Sequence, residues 1–113
     1  MKQVREFPDF IRGMPEMELP IPGARGWLLQ GEGRQVAFAE FDETVEVPEH
    51  SHAEQWEFPI AGKVVLHRGG QSVEYRPGES FFLAAGEPHG ATVHAGYKAM
   101  ILFNEGGRYK ARK

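Results

Sequence analysis

The chain has 113 residues, of which 13 are basic and 16 acidic, a formal net charge of −3, and no cysteine. That length suits one domain with a single core. The acidic balance argues against nucleic acid or an anionic membrane as the main partner, and the absence of cysteine excludes disulfides and thiolate chemistry.

Residues 1–26 are poorly periodic. Pro8, Pro15, Pro20 and Pro22 interrupt any long helix, so the stretch reads as an extended arm with a helical turn near Asp9 to Arg12. Its apolar residues, Phe7, Phe10, Ile11 and Met17 among them, are too many for a free tail. They predict packing on a body, either the chain's own or a partner subunit's. The N-terminus lacks the apolar run of a signal peptide, and no segment approaches the ~20 apolar residues of a membrane span. A soluble cytoplasmic protein is the expectation.

Residues 27–113 read as the body, a single domain of short strands. Trp27 to Gln30 is a brief strand ending at Gly31-Glu32-Gly33, and Gln35 to Phe41 a clearer one, with Val36 and Phe38 on one face and Ala37, Ala39 and Phe41 on the other. Thr44 to Val47 alternates again, and Pro48 is expected to close that run. Gln55 to Ile60 follows, broken by Ala61-Gly62. Lys63–His67 and Gln71–Tyr75 predict a hairpin around Arg68-Gly69-Gly70, and Arg76-Pro77-Gly78-Glu79 a turn. Ser80–Leu83, Ala91–His94 and Lys98–Phe103 complete the set. Trp27, Trp56, Phe38, Phe58, Phe81, Phe82, Met100 and Leu102 are expected to supply core and pocket wall, about half of them facing inward by alternation with the phase of each strand left open. The basic ending, Arg108 to Lys113, is expected to be a solvated tail. Many short strands, frequent turns and no helical period indicate an all-β sandwich or barrel.

Chemistry concentrates in Val47-Pro48-Glu49-His50-Ser51-His52-Ala53-Glu54-Gln55-Trp56-Glu57. Residues i and i+2 of a strand project to one face, so His50 and His52 can offer two imidazoles to one metal ion. His89, in Ala84-Ala85-Gly86-Glu87-Pro88-His89, is the expected third ligand. Three imidazoles and an oxygen donor suit a first-row transition metal. Gln55 and Glu57 share a face, and either can be that donor: carboxylate is the better one on charge. His67, beside the Arg68-Gly69-Gly70 turn, is expected to be exposed. His94 is expected at the surface, with the pocket mouth as its other placement.

Two motifs in register give the chain a resemblance to the cupin family. The first is His50-x-His52, then Gln55, then Gly62. The second is Pro77-Gly78-Glu79, an apolar strand, and Ala85-Gly86-Glu87-Pro88-His89. The strand pattern extends the likeness over residues 27–103. The resemblance implies a cupin double-stranded β-helix, a jelly-roll barrel, with a mononuclear metal inside held by His50, His52, His89 and Gln55. Spacing to Gly62 favours Gln55 over Glu57 as the fourth ligand, and Glu57 is then a supporting or acid–base group. Two features depart from the usual pattern: Ala84 stands where proline is common, and the gap from His52 to Gln55 is short, as in cupins reading His-Ser-His-x-x-Gln-Trp.

The resemblance implies one divalent transition metal ion per chain (Zn, Ni, Mn or Fe), a small-molecule ligand, and a homodimer. Three functions compete. The first is a metal-dependent enzyme on a small organic substrate, whether dioxygenase, isomerase or lyase. The second is a non-catalytic small-molecule-binding or sensory module, and the third a structural barrel. The enzyme reading leads; the structural one is disfavoured because buried histidines and amides need partners.

Overall fold

The computed structural model describes residues 6–112. Residues 1–5 of the expected arm and Lys113 of the expected tail lie outside the described residues. One short helix, α1 (Asp9–Arg12), precedes nine strands: β1 (Ala24–Gln30), β2 (Gln35–Phe41), β3 (Val45–His50), β4 (Gln55–Ala61), β5 (Val64–Arg68), β6 (Gln71–Tyr75), β7 (Phe81–Leu83), β8 (His89–Val93) and β9 (Lys98–Phe103). Every strand pairing is antiparallel. The strands form a five-stranded sheet, ordered β1-β2-β9-β4-β7, and a four-stranded sheet, ordered β3-β8-β5-β6. The two together make an all-β jelly-roll barrel.

Turn chemistry fixes the joints. β5 and β6 pair out to Arg68 opposite Gln71, which leaves Gly69-Gly70 as a two-residue turn. Both glycines have positive φ, 58° and 77°, the backbone that matches the twist of a tight hairpin. Gly62 after β4 also needs its missing side chain. Its φ is +73°, and a Cβ there would lie 2.9 Å from the carbonyl oxygen of Gly96.

Alternation sorts residues to the two faces of each strand. Val64 and Leu66 of β5, Phe81 and Leu83 of β7, and Ala99, Ile101 and Phe103 of β9 point inward and are buried in one core. The outer face of the five-stranded sheet is also apolar. Strand register places Trp27, Phe38, Met100 and Phe58 in one row across it. Phe7 and Ile11 of the arm pack on Trp27 and Phe38 to form a second core. The next row runs Leu29, Val36, Leu102, Trp56 and Phe82 across all five strands, and of these Val36 packs against the second core. Trp56, Phe82 and Leu102, expected in the core and pocket wall, are exposed on the outside.

Two further expectations are corrected, for Pro48 and for the basic ending, and the arm takes one of its two expected placements. Pro48 does not close its strand: β3 runs on to His50, with a register shift between Val47 and His50. A proline without an N–H is tolerated where the ladder is irregular. The arm packs on its own chain, with Met17 N–H donating to Gly26 O at 2.8 Å. The basic ending is not a solvated tail. Glu18 N–H donates to Lys110 O at 2.8 Å, Arg112 N–H donates to Glu16 O at 2.6 Å, and Tyr109 packs against the core.

Candidate metal centre

The β3–β8 pairing builds the site. His50 ends β3 and lies opposite His89, the first residue of β8. His52 follows two residues later. The three rings have centroids 4.4 to 5.1 Å apart, and one ligand atom from each falls within 4.8 Å of the other two.

Backbone carbonyls fix the tautomers. The Nδ1 of His50 lies 2.9 Å from Pro48 O, that of His52 2.8 Å from Ala53 O, and that of His89 2.9 Å from Glu87 O. A carbonyl only accepts, so each Nδ1 carries the proton and each Nε2 keeps its lone pair. His52 Nε2 is buried with no hydrogen-bond partner among the described residues. Buried polar atoms are normally satisfied, and a metal ion would satisfy this one. Burial pulls the pKa of both His52 and His89 below the ordinary imidazole value, and the nearby Arg108 charge adds to the effect at His52. Neutral rings are the form that binds metal. The donor set thus fits a first-row transition ion.

Gln55 and Glu57 both point inward from β4 and are buried. Gln55 Nε2 donates to Glu57 Oε1 at 2.7 Å, and the Tyr97 hydroxyl donates to Glu57 Oε2 at 2.5 Å. Both carboxylate oxygens are thus occupied, and the amide is held with Oε1 turned away from Glu57. Burial pushes the Glu57 carboxyl up to about 7, against the pull of those two hydrogen bonds. Burial and the adjacent Glu57 push the Tyr97 phenol up, so it stays protonated.

These groups share one cavity of about 110 Å³ with the three histidines, between apolar walls that include Leu66, Phe81 and Phe103. Such a mixture, mostly apolar with a few polar groups, is the usual form of a small-molecule site. Tyr97, Arg108 and Tyr109 are among the wall residues that escaped the sequence reading. Tyr97 carried a signal, since it shares the two-residue period of Ala99, Ile101 and Phe103. Arg108 and Tyr109 carried none, because a loop folding back over a barrel leaves no periodicity.

His67 and His94 lie off the cavity wall. His67, expected to be exposed, is half-buried on the outer face of the four-stranded sheet. Its Nδ1 lies 2.7 Å from Ser72 Oγ and its Nε2 2.8 Å from Thr92 Oγ1, while the Thr92 hydroxyl donates to Glu46 at 2.9 Å. His94 is half-buried beyond β8, its backbone N–H directed at Lys63 O.

Comparisons with known proteins agree with this architecture. The Cupin domain family matches residues 37–104. An RmlC-like cupin from Shewanella frigidimarina superposes with a TM-score of 0.71 at 23% identity, over 83% of this chain and 86% of that one. KdgF from Halomonas sp. gives 0.70 at 19% identity, over 81% and 88%. Oxalate decarboxylase from Bacillus subtilis, a protein with Mn(II) centres, gives 0.61 at 16% identity, over 75% of this chain and 26% of that one. No curated relative matches by sequence. No helix among the described residues is long and apolar enough to cross a membrane.

Proposed function

The chain belongs to the cupin family, and from that premise we propose that it is an enzyme acting on a small organic molecule at one divalent transition metal ion inside the barrel. His50, His52 and His89 hold the ion through Nε2, and Gln55 through Oε1. Zinc, nickel, manganese and iron all accept this donor set. When bound, the ion supplies Lewis-acid activation of a ligand oxygen, since neutral donors leave its full charge in place.

The chain's own residues do the rest. Glu57 engages the Gln55 amide nitrogen and so leaves the oxygen for the ion, which favours Gln55 over Glu57 as the fourth ligand. Tyr97 pins Glu57 from the other side. The apolar walls limit water around the reacting molecule. The observation that carries this reading is the convergence of His50, His52 and His89, one ring nitrogen from each within 4.8 Å of the others, with His52 Nε2 buried and unpartnered among the described residues.

The cupin fold hosts many chemistries and does not select among them. The test is therefore metal analysis of purified protein joined to a broad turnover screen with small organic substrates. About one ion per chain with turnover of at least one substrate supports the enzyme. Saturable binding without turnover would instead make the chain a binding module, and protein that never retains metal would overturn the reading.

A homodimer belongs to the same proposal. Exposed Leu29, Leu102, Trp56 and Phe82, with half-buried Val36 between them, make an apolar stripe of the kind a second copy covers. Dimeric mass in solution, lost on Trp56→Lys, is the expected result; a monomeric wild type would contradict it.

A further inference from the structure

One charged residue in the cavity wall has no role so far. Arg108 lies on the loop after β9, and its guanidinium turns back toward the barrel. Its Cζ sits 4.7 Å from the Tyr109 ring centroid and 6.0 Å from that of Phe103, so two aromatic faces hold it in place. Its Nε is buried without a hydrogen-bond partner among the described residues.

Most other arginines among the described residues have carboxylate partners; exposed Arg34 instead bonds the Gly33 carbonyl. Arg12 meets Glu40, Arg68 meets Glu87, Arg76 meets Glu74 and Arg112 meets Glu16. Arg108 forms no such ion pair among the described residues. Glu105, on the same loop, is turned instead to the Ala53 N–H at 3.3 Å. Glu57 has both oxygens taken by Gln55 and Tyr97. Arg108 is half-buried, and a buried guanidinium nitrogen with an unmade hydrogen bond is costly to maintain; the side chain faces the same cavity as the three histidines.

The geometry points to a small carboxylate as the barrel's ligand, its carboxyl group held by the Arg108 guanidinium while the rest of the molecule faces the histidine cluster. This deepens the metal-site reading above and rests on it. The planar guanidinium fork matches a carboxylate with two parallel hydrogen bonds. Size narrows the class further. An engineered cavity of about 150 Å³ takes one benzene, six non-hydrogen atoms, so a space of about 110 Å³ admits roughly four or five. A carboxylate carrying one or two further non-hydrogen atoms fits that space.

The probes are acetate, propionate, glycolate and glyoxylate, each paired with its neutral amide, together with inorganic phosphate. The protein is loaded with cobalt(II), and binding is read from the shift of the cobalt visible absorption. At least one carboxylate is expected to bind roughly tenfold or more tightly than its amide and than phosphate. Arg108→Gln is expected to abolish that preference while still taking up one equivalent of cobalt, which also shows that the barrel is intact. Arg108→Lys is expected to keep a weaker preference, since the charge remains but the fork does not.

Carboxylate and amide binding alike, phosphate binding best, no shift with any carboxylate, or an Arg108→Gln protein that keeps the preference would each overturn the carboxylate site and leave the metal reading standing. Wild-type protein that takes up no cobalt would overturn both.

Discussion

His67 and the His50–His52–His89 cluster lie on opposite sides of the same four-stranded sheet. The number of histidines matters less than what their ring nitrogens already touch. On the outer side His67 spends both nitrogens on the Ser72 and Thr92 hydroxyls, as one rung of a cross-strand ladder that ends at Glu46. On the inner side each Nδ1 is tied to a backbone carbonyl, and each Nε2 keeps a free lone pair. Backbone carbonyls as second partners therefore orient a ligand, whereas hydroxyls on both nitrogens use the ring up.

Substitutions can break this comparison from either side. The largest effect is expected from His89→Ala, which should weaken metal binding by roughly a hundredfold or more in chelator competition, because two imidazoles and an amide make a poor site. Next is Tyr97→Phe. It leaves Oε2 of buried Glu57 without its donor, at a cost of about 1–3 kcal/mol in denaturant unfolding. Gln55→Ala should weaken metal binding by about tenfold, less than any histidine change, since a neutral amide is the poorest donor of the set. The smallest effect belongs to His67→Ala on the outer side. Metal affinity should not change, and stability should fall by no more than about 1 kcal/mol, the scale of a cross-strand pair. A metal defect in His67→Ala as large as that of His89→Ala would erase the distinction between the two sides.

Much of the fold was legible because its signals are local. Alternation in Gln35 to Phe41, the double glycine after Arg68, and the two motifs around His50 and His89 each need only a few residues of context. The phase of the strands was not legible. The five-stranded sheet is apolar on both faces, inward for the core and outward under Phe7 and Ile11. Period-2 alternation alone therefore could not tell that Trp56 and Phe82 point out while Gln55, Glu57 and Phe81 point in. Gln55 and Glu57 could not be separated by sequence either, since they share a face; their roles diverge only through Tyr97, whose hydroxyl reaches Glu57 across 40 positions of chain. Arg108 was hidden for the same reason. A run of basic residues near the end of a chain looks solvated until tertiary contacts such as Met17 against Ala111 draw it back onto the barrel.

The most direct measurement is an anomalous difference map from crystals of the metal-loaded protein, collected across the absorption edge of the bound ion. The expected result is one peak per chain, roughly 2.0–2.2 Å from the Nε2 atoms of His50, His52 and His89. A peak bonded to their Nδ1 atoms, or one beside His67 on the outer face, would contradict the arrangement described.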